Sequence, residues 1–180
     1  MLTAIFGKKK ISQDKVANIF VNSTLNLVDN TFDDVAAFIE NEPEFKTPPT
    51  IDRNEYGQFL MIVITGNLSF IPDYFEAGKD REIISLIIQK FADIFDVEPK
   101  EFEKKVRDYK LFMARANHPS KNMLYAMSKG VFFKYNLNDH QEEYFRSLNT
   151  PNPIFLKRLD DLMKNYLFNW EEFQETYKVG

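Results

Sequence analysis

Between Asp52 and Ile71 the chain reads DRNEYGQFLMIVITGNLSFI, and at its centre the run from Phe59 to Ile64 is apolar throughout. A segment without a polar side has no face to turn to water, so protein must enclose it all round. It is too short to cross a bilayer, which takes roughly 20 apolar residues. Two conformations compete for it. As a hairpin, Phe59–Ile64 and Leu68–Ile71 would be strands joined by a tight Gly66-Asn67 turn. As a helix, Asp52 caps the start with Glu55 reaching back, and Ile51 and Tyr56 stand where a hydrophobic staple closes. Tyr56, Phe59, Leu60 and Val63 then share one helical face, and Met61, Ile62 and Ile64 fill the others. The entrance signals favour the helix, ending near Gly66.

The rest of the chain must supply the enclosure. Its 180 residues suit one domain, burying roughly 70% of the unfolded surface. Phenylalanine is abundant, with 18 residues, and this reads either as a core built from Phe or as an aromatic cavity for an apolar ligand. A formal charge of −4 argues against general affinity for nucleic acid, which needs clustered Lys and Arg to neutralise phosphates. Cysteine is absent, excluding disulfides, thiolate nucleophiles and Cys-ligated zinc or iron–sulfur clusters, and fitting a reducing compartment. In MLTAIFGKKK the apolar residues precede the lysines, the reverse of a secretory signal, so a cytoplasmic protein is expected.

Residues 1–10 read as a tail outside the domain. Leu2, Ile5 and Phe6 followed by Lys8, Lys9 and Lys10 could dip into an anionic membrane, but six residues bury too little apolar surface to anchor a protein. Ser12 predicts the first helix start, with Val16, Ile19, Phe20 and Leu27 inside as far as Val28. Asp29-Asn30 predicts a break, after which Thr31 caps a shorter helix carrying Phe32, Val35, Ala36 and Ile39. Asp33, Asp34, Glu40, Glu42 and Glu44 gather here, either as dipole-favoured and solvated charges or as a face for a basic partner. Residues 43–50, PEFKTPPT, are the one candidate linker, a loop or a subdomain connection. A long helix from about Asp80 to Phe95 is so apolar that it should pair with Asp52–Gly66 at the centre. Pro99 to Ala116 predicts an amphipathic helix whose interleaved charges are ordinary surface pairs.

Few residues could carry chemistry. The polar loop Arg115 to Asn122 brings Arg115, His118 and Lys121 together ahead of Tyr125, a base and two cations beside an aromatic ring. The same residues also serve as ordinary turn and cap residues. His140 and Glu143 stand one helical turn apart, but a lone, reversed pair falls short of a di-metal bundle, so no metal site is expected. Near the C-terminus Trp170, Phe173 and Tyr177 form one stripe, either core or an exposed patch that anchors a partner. Gly-x-Gly-x-x-Gly, Gly-Lys-Ser/Thr and Gly-x-Ser-x-Gly are all missing, and no catalytic set or cofactor can be assigned.

The sequence therefore predicts an all-α, single-domain irregular bundle over residues 11–180, with seven to nine helices around two buried central ones. A small hairpin at 59–71 is the structural alternative. The expected function is a non-catalytic cytoplasmic protein-interaction module, with Trp170, Phe173 and Tyr177 as its patch. The alternative is a small-molecule binder or enzyme with a Phe-lined pocket whose mouth is formed by Arg115, His118, Lys121 and Tyr125. Oligomeric state and partner identity are not encoded in any motif.

Overall fold

The computed structural model describes residues 7–180. Its helices are α1 (Gln13–Glu40), α2 (Tyr56–Leu68), α3 (Ile71–Tyr74), α4 (Lys79–Phe95), α5 (Pro99–Asn117), α6 (Met123–Lys134), α7 (Glu143–Leu148), α8 (Pro153–Met163) and α9 (Trp170–Thr176). Two short strands, β1 (Lys9–Ile11) and β2 (Tyr177–Val179), pair in parallel, with Lys9 opposite Tyr177 and Ile11 opposite Val179. The all-α single-domain bundle expected from the sequence is the observed fold. Among the described residues, no helix is long and apolar enough to cross a membrane.

The apolar run is a helix. From Phe59 to Leu68 every residue of α2 is buried, and no hairpin forms. The two residues suited to a turn have other uses. Gly66 lies against Met127 of α6, whose sulfur and Cγ occupy the space a Cβ would need. Asn67 donates to Val63 O (2.8 Å) and Tyr166 O (2.7 Å) and accepts from Phe168 N (2.7 Å), so its buried amide is fully engaged.

The expected break at Asp29-Asn30 does not occur. α1 runs unbroken, with Val28, Phe32, Val35 and Ile39 continuing one buried stripe. A poor helix former costs only about 0.7 kcal/mol or less in a helix interior, well below the roughly 1.5–3 kcal/mol gained by burying each large apolar side chain. Thr31 is no cap. Its hydroxyl bonds Leu27 O (2.6 Å) and meets the Tyr166 hydroxyl (2.7 Å). Ser12 does cap α1, accepting from Lys15 N at 3.2 Å.

α4, the expected second central helix, is buried along a single stripe of Ile83, Ile87, Phe91 and Ala92. Broad burial belongs to α6 instead, where Ala126, Met127, Ser128, Gly130, Val131 and Phe132 are all enclosed. A Cβ at Gly130 would sit 3.2 Å from Met113 Cγ and 3.5 Å from Ile62 Cδ1, so this glycine lets α6 approach both α5 and α2.

Residues 43–50 are no free linker. Phe45 is buried against Phe155, with ring centroids 4.7 Å apart, and Lys46 N and Thr47 N both donate to His140 O (2.8 and 3.3 Å). At the other end of the chain, Trp170 stacks on Phe20 (5.7 Å) and meets Phe75 edge-on (5.3 Å). The proposed 1–10 tail is cut short, because Lys9 and Lys10 belong to β1. Of the membrane-contact residues, Leu2, Ile5 and Phe6 lie outside the described residues, while Lys8, Lys9 and Lys10 are exposed.

Candidate functional site: an aromatic cleft between three helices

Where α4 turns into α5, the start of α2 faces both helices across a cleft of about 550 Å³. Its buried floor is Leu60, Met61 and Phe102; Tyr56, Phe95 and Tyr109 stand around it. Polar groups sit among them: Glu55 and Gln58 on the α2 side, Glu101 and Lys105 one turn apart on α5.

Local chemistry explains the placement. Asp96 ends α4 in the left-handed conformation (φ 53°), and Val97 N reaches back to Ala92 O at 3.0 Å. This reversal resembles the backbone closure common at helix C-termini, with aspartate in the place of the usual glycine. Pro99 then opens α5, its fixed φ suited to a first turn. Phe95, the last residue of α4, is left projecting at 37% exposure. Its ring lies parallel to that of Phe91 (6.1 Å) and stacks at 25° on that of Phe102 (5.9 Å), so an exposed ring is backed by two core rings.

The α2 side is held from beneath. The buried Tyr135 hydroxyl accepts from Phe59 N (3.1 Å) and donates to Glu55 O (2.8 Å), fixing the first turn of the helix. Burial drives the Tyr135 phenol above its ordinary pKa, so it stays a protonated donor. Tyr56 leans toward Phe32 (6.3 Å) and keeps 40% of its surface exposed. On the α5 side, burial also raises the pKa of Tyr109. Lys134 Nζ lies 4.7 Å from the Tyr109 ring centre and 4.5 Å from that of Phe112, a cation–π bracket that braces this wall. The cleft can hold an apolar or aromatic group, with a carboxylate and an ammonium available at its edge.

Comparison of the chain with protein families, with curated proteins and with solved structures finds no match.

The residues expected from sequence lie elsewhere. Arg115, His118 and Lys121 are exposed at the α5–α6 connection, and Tyr125 keeps 44% of its surface in water on α6. None of them lines the cleft. Their connection is organised as a turn: Asn117 Nδ2 donates to Ser120 O (3.3 Å) and Asn122 O (2.9 Å). Trp170 and Phe173 are buried at 1% and 6% exposure, so the C-terminal stripe is core rather than patch, and Tyr177 is a strand residue. The acidic group is largely spent internally. Glu40 grips Arg53 with both oxygens (2.6 and 2.9 Å), buried Glu42 pairs with Arg158, and Glu44 accepts from Asn152 (3.1 Å). Asp33 also pairs with Arg53, more loosely, at 3.7 Å, and leaves Asp34 outside that scheme. His140 Nδ1 meets Thr47 Oγ1 at 3.1 Å, which gives it a structural partner. Among the described residues no three metal-ligating side chains gather.

One sequence signal, read above as a mark of central burial, could have pointed to the cleft. α4 carries more apolar residues than one buried stripe can use, and the surplus, Ile94 and Phe95, emerges at the cleft end with 52% and 37% exposure.

Proposed function

We propose that this chain is a non-catalytic cytoplasmic interaction module, and that the cleft beside Phe95 receives an apolar anchor side chain of a protein partner. The observation that supports this is the continuous Phe91–Phe95–Phe102 stack. It presents a pre-ordered aromatic surface, and a side chain held rigid before binding loses little entropy on contact. Anchors that fill such pockets dominate interface energies, with truncations costing roughly 2 kcal/mol or more. The absence of cysteine is what supports a reducing, cytoplasmic setting.

The test is selection of random displayed peptides on the purified chain. Selected sequences should converge on one aromatic or aliphatic anchor, and Phe95→Glu should weaken their binding at least tenfold while His118→Ala leaves it unchanged. Peptides that fail to converge, or that bind Phe95→Glu as well as the wild type, would refute the reading.

A second reading is favoured by size. About 550 Å³ falls within the roughly 300–1,000 Å³ of small-molecule sites. A small apolar ligand bound here would keep the Phe-lined pocket of the sequence reading but move it from the Arg115/His118/Tyr125 corner to the α2–α4–α5 cleft. Fragment binding reported by chemical shifts at Met61 and Phe102, with no peptide selected, would mark that outcome.

A further inference from the structure

β1 and β2 form a sheet of two strands among the described residues, and one edge of it opens onto a second groove. Gly180 N donates to Ile11 O at 3.0 Å. In a parallel ladder, each residue directs both its N–H and its C=O to one side, alternating along the strand. Given the register of Ile11 with Val179, Lys178 and Gly180 face β1, whereas Tyr177 and Val179 turn their backbone groups outward. Among the described residues, two of those four outward groups are occupied: Tyr177 N bonds Phe173 O, and Val179 O accepts from Lys79 Nζ at 3.3 Å. The remaining two, Tyr177 O and Val179 N, are one acceptor and one donor flanking Lys178. A strand running parallel to β2 fills both with a single residue, leaving Lys79 where it is.

The outward edge lies along a groove of about 480 Å³ that is also lined by Tyr74 at the end of α3, Phe75 after it and Lys79 at the start of α4. Lys8, Lys79 and Lys178 all line it, and Glu76 is the one carboxylate side chain lining it. Lys9 and Lys10 stand exposed on β1 beside it. None of these five lysines joins an ion pair among the described residues. In a chain of net charge −4, this end is locally cationic.

We infer that the β2 edge captures an extended acidic peptide segment of a partner, which adds as a third strand parallel to Tyr177–Val179. Main-chain bonds to Tyr177 O and Val179 N would set its register, as in other strand additions. Its carboxylates would meet Lys8, Lys79 and Lys178. The site is separate from the aromatic cleft, and the inference does not depend on the function proposed for that cleft.

The test uses the full chain with a fluorescein-labelled octapeptide of alternating Glu and Val, its Lys/Val counterpart, and vesicles of phosphatidylserine and phosphatidylcholine. The Glu/Val peptide should bind at low salt and weaken as sodium chloride rises. Lys178→Glu and Lys8→Glu, each at an exposed position, should each reduce its affinity several-fold, and the pair at least tenfold. Amide exchange at Val179 should slow at least tenfold on saturation, while that at Lys178, already bonded within the ladder, stays as it was. Four results would overturn the inference: no binding of the Glu/Val peptide, equal binding of the Lys/Val peptide, binding that leaves Val179 exchange unchanged, or binding of vesicles alone.

Discussion

With its amide nitrogen on two carbonyls and its oxygen on a backbone N–H, Asn67 ties α2 to the segment leading into α9. Replacing it by leucine keeps the branched shape but removes the polar atoms, orphaning the buried Tyr166 O and the part-buried Phe168 N, at about 1–3 kcal/mol for each unsatisfied group. Urea unfolding of Asn67→Leu should therefore show a loss of about 2–6 kcal/mol; a change below about 1 kcal/mol would mean that water reaches those groups. Glu40 gives a prediction in pH. Arg53 and the Ile51 N–H hold its carboxyl down to about 2 from an ordinary 4.5. A depressed acid stabilises the fold fully above its unfolded value and loses that contribution as pH falls through the folded one. Stability should fall between about pH 4.5 and 2, and Glu40→Gln should flatten that part of the curve. At this scale the sequence showed which charges exist but not whom they meet. Glu42 lies in the loop after α1 and Arg158 in α8, far apart in the chain, and no local spacing encodes their pairing.

Helices were the readable level. Ser12 caps α1 as the sequence predicts, and Asn152 and Asn169 cap α8 and α9 in the same way, each accepting from a backbone N–H two or three residues ahead. The 3.6-residue period marked most helices, because a one-sided apolar pattern needs only local sequence to be seen. Turn chemistry misled where tertiary packing overrode it. Asp29-Asn30 reads as a break, yet buried residues on both sides carry α1 straight through. Gly66 reads as half a turn, yet its missing side chain is where Met127 fits. Gly66→Ala tests this. On propensity alone it should stabilise a helix by about 1 kcal/mol, but overpacking against Met127, which costs about 1–3 kcal/mol, should outweigh that and leave a net loss of up to about 2 kcal/mol. Met127→Ala made on the Gly66→Ala background should then cost less than it does in the wild type, as a thermodynamic cycle would measure.

For the molecule as a whole, the aromatic cleft was the part least visible in advance. It is made by α2, α4 and α5 together, and no single stretch contains it. Only the surplus of apolar residues late in α4 hinted that something there lay outside the core. The proline-rich segment carries the opposite lesson, since its composition suggests mobility while its contacts fix it. Limited trypsin digestion should leave Lys46 uncut in the native protein, because Phe45 is buried and Lys46 N is bonded to His140 O at 2.8 Å. Arg158→Ala, which strands Glu42 in the interior, should expose that bond to cleavage and speed it several-fold. Equal cutting of the two proteins would show that the loop opens without help from that pair.

The pairing of Lys9–Ile11 with Tyr177–Val179 also bears on how the protein is made. β1 leaves the ribosome before β2, and that segment must wait for residues 12–176 to be made before its mate emerges. Until then its lysine-rich ribbon lacks its mate and is open to passing acidic chains, and in refolding the same pairing has to close a loop spanning residues 12–176.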